Sequence, residues 1–193
     1  MINLFFLHAP RTGGSTIETI LGRVFKNPPY KDTITFDCPL HIRWGKDKSM
    51  PPHPTVALLS KKGVDLTKYV VFTSVRNPWQ MVLSLYFHNL HNNLIDSTKS
   101  FRQFILEKKR WPAINLCIEY SLVSKYVLRF ETLNRDFMSM FVDLGLPPIT
   151  LSEKINSMSY DKENWRQYYD AECISIIGNT FKSHIEKWGY ICG

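Results

Sequence analysis

Ile2-Asn3-Leu4-Phe5-Phe6-Leu7-His8-Ala9-Pro10-Arg11-Thr12-Gly13-Gly14-Ser15-Thr16-Ile17 opens the chain and decides its architecture. Residues 2–7 form a short, nearly continuous apolar run, the pattern of a parallel strand covered on both faces. Pro10, Gly13 and Gly14 mark a turn directly after it. From there Ile17, Ile20, Leu21, Val24 and Phe25 recur at i, i+3, i+4, i+7 and i+8, which predicts an amphipathic helix starting near Ser15. The reading over residues 1–26 is strand, glycine-containing turn, helix.

The alternation continues along the chain. Residues 69–75 (YVVFTSV) predict a second buried strand. Asn77 is placed as the N-cap and Pro78 as the first residue of a helix whose stripe holds Trp79, Val82, Leu83, Tyr86 and Leu90. A helix is predicted over 101–109, a third strand over 125–130 and a helix over 133–144 that stops at Gly145 and Pro147-Pro148. Cys173, Ile177, Phe181, Ile185 and Trp188 predict one final helix ending near Gly189. Residues 27–54 hold six of the 11 prolines and read as irregular, with a short strand over 33–36. A short helix over 55–62 closes at Gly63. Strands alternating with helices give an α/β fold with a mainly parallel central sheet flanked by helices.

Length and composition bound the function. At 193 residues the chain is about one domain, taken as 1–193. With 44% apolar and 21% charged residues it can fill a core, which excludes a disordered tail or a fibre. The four cysteines form no C-x-x-C pair and are read as reduced, mostly buried thiols, so zinc-ribbon and redox-motif functions drop out. No apolar run approaches the ~20 residues of a membrane span. Residues 1–8 lack a basic flank, so they read as strand and not as a signal peptide. A cytoplasmic location without a membrane partner is expected. A net charge of +7 points to an anionic partner. A basic nucleic-acid-binding module is one way to use that charge and the 13% aromatic residues, but no RRM, zinc-finger or basic-helix pattern supports it.

The first turn is built to hold an anion. Unpaired N–H groups and the positive end of a helix dipole point into it. Arg11 adds a fixed charge, Gly13 and Gly14 allow close backbone approach, and Thr12, Ser15 and Thr16 supply hydroxyls. It is not a G-x-x-x-x-G-K-[ST] loop: Ser15 stands where the lysine belongs, and no lysine precedes Lys26. A P-loop small-molecule kinase, the main alternative enzyme, thereby loses its principal phosphate ligand. A second anion site is read at Arg76, with Ser84 eight residues later. The seven-residue step from Asn77 to Ser84 is nearly two helical turns, about 10 Å along the axis. Arg76 and Ser84 can then clamp one anion. Two such sites at the carboxyl ends of parallel strands imply a ligand with two separated phosphate-like groups.

These motifs carry a resemblance. His8 through Thr16 resembles the 5′-phosphosulfate loop of sulfotransferases of the carbohydrate type. Val75-Arg76-Asn77-Pro78-Trp79 through Ser84-Leu85-Tyr86 is similar to their 3′-phosphate motif. Arg129-Phe130-Glu131-Thr132-Leu133 with Asp136-Phe137, and Tyr168-Tyr169-Asp170 through Trp188-Gly189-Tyr190, are similar to downstream segments of the same family. The resemblance covers most of the chain in order and is weakest over 27–50. It implies a three-layer, P-loop-NTPase-like fold and the donor 3′-phosphoadenosine 5′-phosphosulfate (PAPS), with adenosine 3′,5′-bisphosphate (PAP) as product and no metal. It also implies that Arg11, Thr12, Gly13, Gly14, Ser15 and Thr16 hold the phosphosulfate and that Arg76 and Ser84 hold the 3′-phosphate. Many relatives have lysine at the position of Arg11. An arginine there acts on the bridging oxygen electrostatically, since it does not readily give up a proton.

In-line sulfuryl transfer to a hydroxyl asks for positioning, charge stabilisation and a general base. His53 and His41 are the candidate bases, with Asp37 and Glu18 as carboxylate alternatives. His53-Pro54-Thr55-Val56-Ala57 resembles a segment that precedes the 3′-phosphate strand in bacterial relatives. His8 is expected to pack against the loop, His88 and His91 to lie on a solvated face, and His184 to be peripheral. The acceptor is expected to be a hydroxyl of a carbohydrate or small molecule, met by the 27–54 segment. Arg43, Lys46 and Lys48 there are candidates for an anionic acceptor.

Overall fold

The computed structural model describes residues 1–31, 33–39, 49–107, 111–151 and 160–192. Its centre is a four-stranded parallel sheet of β1 (Ile2–Leu7), β2 (Ile34–Asp37), β3 (Val70–Val75) and β4 (Tyr126–Arg129), in the order β2-β1-β3-β4. Leu7 pairs with Thr73 and Val75 with Arg129, which fixes the carboxyl ends beside one another. The chain leaves β1 for one neighbour and returns on its other side. The crevice between the ends of β1 and β3 is therefore the switch point where open α/β sheets bind ligands.

Alternation within the strands explains the layers. Leu4, Phe6 and Phe72 point to one face, where they meet Ile17 and Leu21 of α1 (Gly14–Val24) and Phe137 and Phe141 of α6 (Leu133–Asp143). Phe5, Leu7, Val71 and Val75 point to the other. That face is covered from α3 (Pro78–His91), α4 (Phe101–Glu107), α5 (Pro112–Val123) and α7 (Ala171–Thr180). Phe5, Phe6 and Phe72 are wholly buried, and each removal from water is worth about 1.5–3 kcal/mol. The expected α/β architecture with helices on both faces is present.

Local chemistry sets the boundaries. The Asn77 side chain accepts from the Trp79 amide at 3.1 Å and Pro78 follows it, as the sequence predicts. Thr55 caps α2 (Val56–Lys61), and Gly63 follows with φ 82°. Two readings need correction. Helix α5 is missing from the sequence analysis: its apolar residues surround the helix, so no amphipathic stripe announces it. The predicted final helix is two, α7 and α8 (Lys182–Trp188), broken at Phe181, whose φ/ψ of −114°/24° is not helical.

Helix α5 anchors the segment that carries His53. The Tyr120 hydroxyl donates to the Pro54 carbonyl at 2.5 Å, and Glu119 Oε1 accepts from the Val56 amide at 2.6 Å. Tyr120 is fully buried. Tyr120→Phe leaves the Pro54 carbonyl without this donor and is expected to lower unfolding stability by about 1–3 kcal/mol, measured by urea denaturation.

Candidate functional site

The turn between β1 and α1 is shaped by backbone demands. Arg11 has φ 64° and Gly13 φ 86°, both left-handed. That conformation strains Arg11 by roughly 1–2 kcal/mol and suits Gly13. Gly13 at the N-cap offers no side-chain cap and no acidic residue lies in the first turn of α1, so the helix supplies no carboxylate of its own to its positive end. Gly14 is required by packing: a methyl group there would sit 2.1 Å from His8 Cδ2 and 2.3 Å from His8 Nε2. His8 is held in turn, stacked on Phe6 and with Nδ1 3.1 Å from a Glu18 carboxylate oxygen. His8 thus packs against the loop as expected.

Thr12 behaves differently from the rest of the turn. Its side chain is wholly buried, and Oγ1 meets the Ala9 carbonyl and Ser74 Oγ, both at 2.7 Å. It ties the turn to β3 and does not line the cavity, whereas Gly13, Gly14, Ser15 and Thr16 do.

That cavity, about 990 Å³, lies between the two turns. Arg11 and Arg76 both line it, and the structure distributes their partners in an unforeseen way. Ser84 Oγ accepts from Nε and Nη2 of Arg11 at 3.2 and 3.1 Å, instead of from Arg76. Arg76 Nη1 donates to the Arg11 carbonyl at 3.1 Å and Nη2 to the Tyr160 hydroxyl at 3.4 Å, and the guanidinium lies 4.0 Å from the centre of the Phe130 ring. Arg76 is 6% exposed, and its Nε has no partner. Among the described residues neither arginine forms an ion pair. Burial lowers both pKa values, and for Arg11 the neighbouring charge of Arg76 lowers it further. Among the described residues four cationic side chains line the cavity against one carboxylate, Glu131, which accepts from the Asn77 amide at 2.8 Å.

Of the candidate bases, His53 lines the cavity. Its Nδ1 lies 2.8 Å from the His8 carbonyl oxygen. A carbonyl only accepts, so Nδ1 carries the proton and Nε2 keeps its lone pair. Burial, followed by the nearby His8 ring, pushes the His53 pKa down to about 4. His41 lies outside the described residues, as do Arg43, Lys46 and Lys48. Asp37 and Glu18 do not line the cavity, although Glu18 reaches His8.

Two histidines depart from the sequence reading. His88 belongs to the site: its Nδ1 accepts from Arg11 Nη1 at 3.2 Å, and it lines the cavity. His184 is central: it is 1% exposed, stacks on Tyr190, and its Nε2 donates to the Arg76 carbonyl at 3.4 Å. Helical spacing held the signal for His88, since it follows Ser84 by four residues on one face. Nothing in the sequence marks His184.

No family model matches the chain. An uncharacterized protein of Archaeoglobus fulgidus is 29% identical over 107 residues, 51% of this chain and 84% of that protein. Among solved structures, a sulfotransferase from Alicyclobacillus acidocaldarius is similar with a TM-score of 0.49 and 13% identity, over 98% of this chain and 99% of that one.

Two expectations follow from the site. Gly14→Ala drives a methyl group into the tethered His8 ring and is expected to cost about 1–3 kcal/mol of stability by overpacking, read from denaturant unfolding. Burial also pushes the His184 pKa down to about 4. His53 and His184 therefore stay neutral in the fold while the unfolded chain takes up protons below about pH 6.5. Stability is full above that pH and falls as pH drops towards 4. Denaturation midpoints at pH 7.5 and pH 5 are expected to converge in a His184→Gln variant relative to the parent.

Proposed function

We propose that the chain is a sulfotransferase that moves a sulfuryl group from PAPS to an acceptor hydroxyl. One observation carries this reading: two arginines, desolvated and without a carboxylate partner among the described residues, face one cavity at the switch point of a parallel sheet. A buried cation lacking a counter-ion is costly, and an incoming anion removes that cost. Two of them on two different strand-to-helix turns suit a ligand with two phosphate-like groups. The absence of a lysine from residues 8–16 favours PAPS over ATP. The resemblance of residues 8–16 and 75–86 to the two phosphate motifs of the family points the same way.

In this reading Gly13, Gly14, Ser15 and Thr16 at the α1 N-terminus and the Arg11 guanidinium take the 5′-phosphosulfate. Thr12 contributes by fixing the turn to β3. Arg76 takes the 3′-phosphate, with the Ser84 hydroxyl beside Arg11 at the junction of the two groups. The donor supplies a sulfuryl group on a phosphate leaving group. His53 Nε2, unprotonated at neutral pH, takes the proton of the acceptor hydroxyl as its oxygen bonds to sulfur. The bridging S–O bond breaks with its electron pair going to the phosphate, where Arg11 faces the developing charge. The donor's negative charge raises the pKa of His53 from about 4 towards the working range of a base.

Isothermal titration calorimetry with PAP tests the reading. The protein is expected to bind it, and Arg76→Ala to weaken binding roughly ten- to hundredfold, since charged hydrogen bonds are worth about 1.5–3 kcal/mol. Tighter binding of ATP–Mg²⁺ than of PAP, or unaltered affinity in Arg76→Ala, overturns it. His53→Ala is expected to keep PAP affinity and lose transfer from radiolabelled PAPS.

A further inference from the structure

The face of α3 that lines the cavity has two chemically distinct parts. Gln80, Ser84, Leu85, His88 and Asn89 all line it, at the spacing of one helical face. Ser84 is held by Arg11 and belongs to the charged end. Beyond Ser84 the wall carries no charged side chain: Leu85, His88 and Asn89 follow. Leu94 then joins them. The chain is turned back at the end of α3 by Asn93, with φ 54°, and by the Leu94 amide donating to the Asn89 carbonyl at 2.8 Å. That turn places Leu94, a 66% exposed leucine, on the cavity wall.

His88 presents a defined hydrogen-bond group on this wall. Arg11 Nη1 can only donate, so Nδ1 of His88 accepts. Asn92 Nδ2 lies 3.2 Å from the same Nδ1 and 2.7 Å from the His88 carbonyl, so it too donates. With Nδ1 accepting from both, His88 is neutral and its proton sits on Nε2, as a donor. Burial and the charge of Arg11 lower its pKa, in keeping with that form.

Resting on the proposed transfer reaction, we infer that the α3 wall of Leu85, His88, Asn89 and Leu94 binds the acceptor, and that the acceptor is an alcohol or phenol with an apolar body. Leucines separated by two polar side chains match a ligand with a hydrophobic frame and few polar groups. A sugar, which carries a hydroxyl on most carbons, has little apolar surface to lay on Leu85 and Leu94, whereas a ligand with a hydrophobic body takes both out of water. This inference narrows the expected acceptor, a carbohydrate or small molecule, to a small molecule with an apolar body. Leu94 sets the apolar end of the wall, and Arg11 couples its inner end to the donor site through His88.

Calorimetric titration of the PAP-loaded protein with 2-naphthol and with chitotriose tests it. The parent is expected to bind 2-naphthol at least tenfold more tightly than chitotriose. Leu94→Asp, at an exposed position, is expected to weaken 2-naphthol at least tenfold, to leave PAP affinity within twofold, and to be reversed by Leu94→Met. Chitotriose binding as tight as 2-naphthol, or 2-naphthol affinity unmoved by Leu94→Asp, overturns the acceptor inference and leaves the donor reading standing. Failure of the parent to bind PAP at all overturns the donor reading, and the acceptor inference falls with it.

Discussion

A buried guanidinium with no ion-pair partner among the described residues, that of Arg76, holds the site together. Its face rests on Phe130 at 4.0 Å and its Nη1 grips the Arg11 carbonyl. Three separate turns, after β1, after β3 and after β4, thereby converge on one cation. A cation stacked on an aromatic ring away from water gains about 2 kcal/mol, less than a full charge loses on desolvation. The local carboxylate does not close that gap. Glu131 points one oxygen at the Asn77 amide and the other at the Tyr190 hydroxyl at 3.3 Å, so it favours the Arg76 charge through space without pairing with it.

The C-terminal part of the chain exists, in this light, as the back wall of the β3–α3 turn. His184 holds the Arg76 carbonyl, Asn77 Nδ2 donates to the Ile191 carbonyl at 3.0 Å, and Arg129 donates to the Trp188 carbonyl. Tyr190 lies between His184 and the Arg129 guanidinium, 5.6 Å from the one ring and 5.2 Å from the other group. Breaking the predicted single helix at Phe181 is what lets α8 fold back onto this turn. Phe181 is itself 1% exposed, so the break is fixed by burial.

How far the sequence could be read follows from the range of each signal. Strands β1 and β3, the caps of α3 and the glycine turn were legible because their determinants lie within a few residues: an apolar run, an Asn-Pro pair, two glycines. Helix α5 was not, because a helix apolar on all sides has no period to detect. At the site, Arg11, Arg76, Ser84 and His53 were legible as lining residues, but not which touches which. Spacing along α3 pairs Arg76 with Ser84. The parallel register of Leu7 with Thr73 instead lays the β1 turn over the first turns of α3, and Arg11 reaches Ser84 first. The partners of the Thr12 hydroxyl were not legible for a related reason: a hydroxyl in an anion loop and a hydroxyl bonded to the neighbouring strand are identical in sequence.

The same contact changes what the net charge means. A surplus of +7 spread over 193 residues would give only a weak, screened field. The structure instead gathers two arginines in a desolvated crevice, with Arg11 held in a left-handed conformation by a turn that His8 and Gly14 make rigid. In such a crevice the field lines are focused, and the burial and the repulsion from Arg76 that together depress the Arg11 pKa are costs that an anionic ligand would offset. Preorganisation here is therefore electrostatic as much as geometric. The fold supplies the strain and the unneutralised charge, and the packing of Phe130, His8 and Thr12 stops the turns from relaxing to dissipate either.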